Sequence, residues 1–268
     1  MRTDQANDYR SALIDLTALA QYDLKQLLEL AEQYPDEYRK VVTELYPELV
    51  NGYRGTAEDL AVAVLNEHAP MVSAATSAPL TQEVYAPAIG YAIAADAPTL
   101  RVLGGIMQKH IFDAARETVT DSIETYTGHT DVRWARHASP TACGFCRLMA
   151  TRGAVYTSPE SAGTVVGRGK EMNLIEELWR GGKRGRIKGP EGSRYIAGGV
   201  HARGNRPLGE TYHDHCRCTA VPSTHFDPYE PPGYVEDWVH AYKEIAKQAP
   251  EMGSHEMLLH LSNELRLI

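Results

Sequence analysis

The N-terminal half of the chain carries apolar residues at three- and four-residue steps, the spacing that places them on one face of a helix. The first stripe predicts a helix over residues 9–32, which must end before Pro35 because a proline ring is unfavourable inside a helix. Its members are Leu13, Leu16, Ala20, Leu24, Leu27 and Leu28. A second stripe predicts a helix over residues 36–46 that ends at Pro47, and Thr56 is predicted to cap a third helix.

The middle of the chain changes character twice. Residues 69–97 are rich in Ala and Pro but keep scattered apolar side chains, which indicates a packed connector with room for one short helix. Residues 99–126 return to helical spacing and predict one long helix. The predicted buried face consists of Leu100, Leu103, Met107, Ile111, Ala114 and Ala115. Beyond Gly128 the pattern alternates, so residues 131–138 are predicted to form a strand.

The C-terminal half mixes short strands and helices. Residues 219–221 are strand-like, residues 171–180 are the one helical run in a glycine-rich stretch, and residues 225–234 form a proline-laden link. A helix is predicted over residues 236–247, and a shorter one from residue 254 to the end.

These elements predict an α+β protein in three parts. Residues 1–127 form a helical N-terminal region, residues 128–225 a small β-containing module, and residues 226–268 a link with C-terminal helices. The chain has 268 residues, 43% of them hydrophobic, enough to bury a substantial core. Its net charge of −8 argues against adhesion of the whole surface to nucleic acid.

No apolar run approaches the ~20 residues that a membrane-spanning helix needs. The N-terminus is polar and has no apolar segment of the kind found in secretory signals, so we expect the protein to be made in a cytosol. Disulfides are rare in such a reducing compartment, and clustered cysteines there favour metal binding or catalysis.

The four cysteines fall into two close pairs. Cys143 and Cys146 form a CxxC motif, and the second pair closes the HxHCxC run of residues 213–218. Two thiolates three residues apart on a tight turn can both reach one ion at ~2.3 Å, with Gly144 supplying backbone freedom. Because the module is glycine-rich and poor in large apolar residues, a structural zinc ion that ties both segments together is expected to stabilise it.

A structural zinc site takes four protein ligands, and the two segments offer six. The preferred ligands are Cys143, Cys146, His213 and Cys216, with Cys218 of nearly equal standing and His215 ranked below them. A disulfide in an oxidising setting and a redox dithiol are alternatives, although no thioredoxin-like βαβ context surrounds the CxxC. A catalytic zinc with Asp214 or Glu210 as general base is a third, but a cysteine-rich shell is typical of closed structural sites.

The stretch between the two cysteine segments is basic. Residues 163–206 contain ten Lys and Arg against four Glu. The stretch resembles a phosphate-binding loop only superficially, because Glu171 follows Lys170 where that motif needs Ser or Thr. Two interpretations of the stretch remain open: it contacts nucleic-acid phosphates, or it is a solvated loop without a binding role. The candidate phosphate contacts are Arg180, Lys183, Arg184, Arg186 and Lys188.

Taken together, these motifs resemble the phage Mu F-like minor head protein family, the head-morphogenesis domain of tailed phages, in the version found in phages of actinobacteria. The resemblance rests on the CxxC of Cys143 and Cys146, on Gly153 before a hydrophobic step, and on the closing HxxCRC of residues 213–218. It covers about residues 131–222.

This resemblance implies a structural minor capsid protein, made in the host cytoplasm and carried in the virion at the portal vertex or head interior. Its expected partners are the portal or other capsid proteins and, through the basic stretch, packaged DNA. Structural zinc is the expected metal; enzymatic activity, a small-molecule substrate and membrane association are not expected. Two rival interpretations are a metal-dependent nuclease or hydrolase around residues 213–215 and a nucleic-acid-binding adaptor.

Overall fold

The computed structural model describes residues 3–94, 98–125, 132–156, 162, 170–172, 195–197, 217–224 and 227–248. Within these ranges the chain forms six α-helices and two antiparallel two-stranded sheets. The helices are α1 (Thr3–Glu32), α2 (Tyr38–His68), α3 (Gln82–Ala94), α4 (Thr99–Thr125), α5 (Gly144–Ala150) and α6 (Tyr234–Gln248). The strands are β1 (Arg133–His137), β2 (Lys170–Met172), β3 (Tyr195–Ala197) and β4 (Thr219–Ser223). The α+β class is therefore confirmed.

The first four helices share one core. α1, α2 and α4 pack against each other, and α3 packs against α2 and α4. The fully buried side chains that fill this core include Leu13, Leu24, Val42, Tyr46, Tyr85, Ile89, Leu103, Met107 and Ile111. The predicted face of α4 is confirmed except at Leu100, which is 37% exposed because it lies in the first turn of the helix. None of the described helices is long and apolar enough to cross a membrane.

Helix α1 ends at Glu32, ahead of Pro35 as predicted, but the predicted break at Pro47 is wrong. Proline removes one N–H donor from the helix and leaves the carbonyl four residues earlier without its usual partner. That carbonyl belongs to Thr43, and it accepts a hydrogen bond from Gln82 Nε2 at 3.2 Å. The first residue of α3 thus supplies a donor in place of the missing one, and α2 continues to His68.

The predicted helix start at Thr56 is also wrong, because this residue lies in the interior of α2. Its hydroxyl donates to the Gly52 carbonyl at 3.2 Å, one turn back along the same helix. Thr is a preferred capping residue, but in mid-helix its hydroxyl bonds the preceding turn instead.

The connector after α2 is packed, and its one short helix is α3. Asn51 of α2 holds the connector through two main-chain bonds at Leu80: Nδ2 donates to the carbonyl at 2.8 Å and Oδ1 accepts from the N–H at 3.1 Å. The same Oδ1 accepts from the Tyr85 hydroxyl at 3.0 Å. One amide therefore joins α2, the connector and α3.

The predicted strands at residues 131–138 and 219–221 are confirmed as β1 and β4, which pair antiparallel from Arg133↔Ser223 to His137↔Thr219. Tyr156 bridges Trp134 through two main-chain hydrogen bonds of 2.8 and 3.1 Å. Trp134, Met149, Tyr156 and Ala162 belong to the same hydrophobic core as the four helices. The β-module therefore packs into the helical bundle.

The second sheet pairs Lys170 with Ala197 at one end and Met172 with Tyr195 at the other. The helical run predicted over residues 171–180 is wrong at its start, since β2 pairing takes Glu171 and Met172. Its remainder lies outside the described residues. The helix predicted over residues 236–247 is confirmed as α6, and the one predicted from residue 254 also lies outside them.

Candidate metal centre

The pairing of β1 with β4 brings Cys218 of the second cysteine segment towards the CxxC motif. The CxxC of Cys143 and Cys146 follows β1, and Cys218 directly precedes β4. The register pairs His137 with Thr219, so its continuation places Cys218 beside Ala138. Ala138, Cys146 and Cys218 belong to one cluster of buried side chains, here called the sulfur cluster.

The CxxC motif lies at the start of α5. Cys143 is exposed and occupies the N-cap position without a side-chain capping bond, whereas Cys146 is 1% exposed and lies in the first turn of the helix. The expectation that Gly144 supplies backbone freedom for a tight turn is wrong, because Gly144 takes the first helical position and needs no unusual backbone angle. Among the described glycines the positive φ occurs at Gly153, at +62°, where the chain turns back towards β1 after α5.

Helix α6 covers the sulfur cluster from one side. Val235, Trp238 and Ile245 of α6 are buried in the cluster together with the two cysteines. The Arg147 guanidinium of α5 lies 5.3 Å from the centre of the Trp238 ring, a cation–π distance. Helix α6 thus forms part of the wall around Cys146 and Cys218.

Arg136 of β1 is fully buried and contacts the Cys146 sulfur. Its Nη1 donates to Cys146 Sγ at 3.1 Å, and its Nε donates to the Ala162 carbonyl at 2.6 Å. A guanidinium has no acceptor, so the sulfur is the acceptor in this bond. The guanidinium carbon also lies 5.8 Å from the centre of the Phe145 ring. Arg136 therefore orients the inner cysteine of the CxxC.

Arg116 of α4 holds the main chain at Cys218. Its Nε and Nη2 donate to the Cys218 carbonyl at 2.9 and 2.5 Å. The guanidinium is itself oriented by Asp113, whose Oδ1 lies 2.7 Å from Nη1, and by the Phe112 ring at 5.1 Å. Because Asp113 and Phe112 precede Arg116 on α4, the helix presents the guanidinium in a defined direction.

Arg10 of α1 holds the end of β1. Its Nη1 donates to the Ala138 carbonyl at 2.9 Å, and the Tyr234 hydroxyl donates to the same oxygen at 2.7 Å. Nη2 of Arg10 donates to Asn7 Oδ1 at 3.0 Å. The N-terminal helix, β1 and α6 therefore meet at one carbonyl group.

His137 of β1 is a buried core residue with both ring nitrogens hydrogen-bonded. Since Asn7 Oδ1 accepts from Arg10, it also accepts from His137 Nε2 at 3.1 Å, which fixes the tautomer with hydrogen on Nε2. Nδ1 then accepts from the Tyr229 hydroxyl at 3.0 Å. Burial, and secondarily the Arg10 charge, lowers the pKa of His137 from its ordinary 6.5 to about 3, so the imidazole is neutral. Burial likewise raises the pKa of Tyr229, which stays a donor.

The sulfur donors suit zinc in type, and three of the five predicted ligands are described: Cys143, Cys146 and Cys218. The other two, His213 and Cys216, lie outside the described residues, as does His215. Within the described ranges no three His, Cys, Asp or Glu side chains gather into a group that could hold an ion. The remaining ligands of the predicted site are in residues 213–216.

The predicted nucleic-acid contacts Arg180, Lys183, Arg184, Arg186 and Lys188 also lie outside the described residues. Sequence reasoning missed the arginines at positions 10, 116 and 136. A signal was present, since Arg10 lies three residues before Leu13 on the apolar stripe of α1, and Arg136 alternates with Trp134. An arginine at a core-facing position is best explained by a buried hydrogen-bond role.

A model of the family described as VG15 protein matches residues 1–177, about two-thirds of the chain. The match includes the four helices of the bundle, β1 and the CxxC of Cys143 and Cys146, and it ends before the second cysteine segment. No curated protein and no solved structure matches the chain. The chain therefore belongs to the VG15 protein family, a family of phage proteins.

Proposed function

We propose that this phage protein is a structural minor component of the phage head, associated with the portal or the head interior. Membership of a phage family supports a role in the phage life cycle. The resemblance of the CxxC, Gly153 and HxxCRC to Mu F-like minor head proteins supports the more specific role in head morphogenesis. In this proposal the partners are the portal or other capsid proteins, and the role is not enzymatic.

The proposal includes a structural zinc ion held by four of Cys143, Cys146, His213, Cys216 and Cys218. The observation that carries it is the β1–β4 pairing, which places Cys146 and Cys218 in one buried cluster although they are distant in the sequence. Thiolate and imidazole donors are the ligands that structural zinc sites use. When bound, the ion would tie the segment after β1 to the segment before β4.

Metal analysis of the purified chain tests the zinc site. We expect about one zinc per chain, the content of a single four-ligand site. Cys146→Ser should lose that zinc. Thr125→Ser, at an exposed position of α4, is the control and should keep it. Absence of zinc from wild-type protein purified under reducing conditions without chelator contradicts the proposed site.

The head role is tested in the phage itself. We expect the protein in purified virions, in fewer copies than the major capsid protein, and we expect an amber mutant of its gene to give defective heads or non-infectious particles. A mutant that forms normal infectious particles lacking the protein contradicts a structural role in the head.

Non-specific contact with packaged DNA is part of the proposal through Arg180, Lys183, Arg184, Arg186 and Lys188. Phosphate contacts of this kind release counterions, so binding weakens steeply with salt. Replacing all five residues by Gln should abolish salt-dependent DNA binding by the purified chain. If DNA binding is unchanged in this variant, the basic stretch makes no DNA contact and is only solvated surface.

A further inference from the structure

We propose that two buried arginines, one on α4 and one on β1, hold Cys218 and Cys146 in place before any metal binds. Arg116 fixes the main chain at Cys218, and Arg136 fixes the sulfur of Cys146. The inference rests on the zinc site proposed above and adds two positioning residues that are not themselves ligands.

The first step of the argument concerns Cys218. A residue just outside a short two-stranded ladder has few ladder hydrogen bonds to hold it. Here its carbonyl accepts two N–H groups from one guanidinium, at 2.9 and 2.5 Å. Arg116 is 6% exposed and is held by Asp113 and Phe112 of its own helix. The position of Cys218 is therefore set by α4.

The second step concerns Cys146. The bond from Arg136 Nη1 to Sγ, at 3.1 Å, joins β1 to the first turn of α5. The same guanidinium donates to the Ala162 carbonyl, so a second acceptor fixes its plane. Turning Cys146 Sγ to another rotamer breaks a charge-assisted hydrogen bond inside the protein, which disfavours the other rotamers.

The third step concerns metal affinity. Ordering ligands at the moment of binding costs conformational entropy, and contacts that order them beforehand remove that cost. Residues that orient metal ligands without binding the metal typically change its affinity about 10–100-fold when they are mutated. Arg116 and Arg136 contact two predicted ligands directly, so the same range is expected for each of them.

A matched series of Arg→Lys variants of the full chain tests the proposal. Lysine keeps the positive charge but has a single ammonium in place of the guanidinium fork. Arg116→Lys and Arg136→Lys should each weaken zinc binding about 10–100-fold, measured by competition with a chelator. Arg54→Lys is the control, because Arg54 is also buried, at 3% exposed, but lies in α2 beside Glu58. Its zinc affinity should match that of the wild type.

Equal zinc affinity in all three variants overturns the positioning role and leaves the zinc site standing. A wild-type chain that binds no zinc overturns the zinc site and this inference with it. If the two site variants do not fold, hydrogen exchange of metal-free wild-type protein decides. Protected amides over Thr219–Ser223 without metal support the proposal. Exchange of those amides at the rate of an unfolded chain contradicts it.

Discussion

Several polar residues lie buried at the junction of the helical bundle and the β-module. Arg10, Arg116, Arg136 and His137 are at most 8% exposed. Each arginine donates to a main-chain carbonyl of the module, at Ala138, Cys218 or Ala162. A buried cation is tolerated only when it is hydrogen-bonded, so these residues demand a defined geometry as well as apolar contact.

The buried His137 predicts a loss of stability in acid. Its pKa in the folded protein is about 3 and its ordinary value is 6.5, so its contribution to stability is complete above pH 6.5 and declines as the pH falls towards 3. Because the unfolded chain then takes up a proton that the folded protein excludes, the free energy of unfolding should fall by about 2 kcal/mol by pH 5. Urea unfolding of wild type and His137→Gln at pH 7 and pH 5 measures this cost. The variant should lack that part of the pH dependence; an equal pH dependence contradicts the buried neutral imidazole.

Gly153 predicts a backbone effect that is independent of packing. Its φ is +62°, and a Cβ added there meets nothing within 4 Å, so Gly153→Ala should destabilise only through backbone strain, by about 1–2 kcal/mol. Gly55 has the same open space but lies inside α2, where alanine should stabilise by about 0.5–1 kcal/mol. Thermal unfolding of the two variants should therefore show shifts of opposite sign, and shifts of the same sign refute the left-handed turn.

At the scale of elements, apolar periodicity predicted α4 and the end of α1 closely, because a stripe on a long helix is a property of the local sequence, although α1 begins at Thr3 and not at the predicted residue 9. The same reasoning failed for α2. Pro47 is a strong local stop signal, but it is buried, and the carbonyl that it deprives of a partner is bonded by Gln82 from the next helix. A contact between distant residues therefore overrode the local preference of proline, and a short window of sequence contains no information about such a contact.

The Asn51 amide predicts how α3 is held. Asn51→Ala removes two bonds to the Leu80 main chain and one from the Tyr85 hydroxyl, and it should destabilise the protein by about 2–3 kcal/mol. Asn66→Ala is the control, since Asn66 is exposed on the same helix and alanine there should be neutral or slightly stabilising. Chemical denaturation measures both. Equal stability of the two variants contradicts a structural role for the amide.

At the scale of the whole molecule, the bundle and the β-module share a core. Trp134 and Tyr156 of the module are buried with the helix residues, and Ala135 packs with Ala6 of α1. The boundary predicted between residues 127 and 128 separates a helical part of the chain from a mixed one. Whether the two parts are separate folding units stays a prediction. The shared core favours cooperative unfolding of both parts.

Trp134→Ala tests this cooperativity. The substitution opens a cavity in the shared core and should cost about 3–5 kcal/mol, so the helical signal in circular dichroism should be lost at a lower temperature. Val155→Ala in the same module is the control, because Val155 is 59% exposed and should change little. Melting of the helices at the wild-type temperature in Trp134→Ala means that the module unfolds independently of the bundle.

The sequence by itself determined the helical N-terminal region, the two strands around the cysteines, the α+β class and the donor types of the candidate metal centre. Each of these follows from local periodicity or from residue chemistry at short spacing. Only the tertiary structure decided that α2 runs through Pro47, that Arg116 holds the main chain at Cys218 and that Arg136 holds the sulfur of Cys146. These features depend on hydrogen bonds between residues that are far apart in the chain or on separate elements, and the apolar pattern contains no information about them.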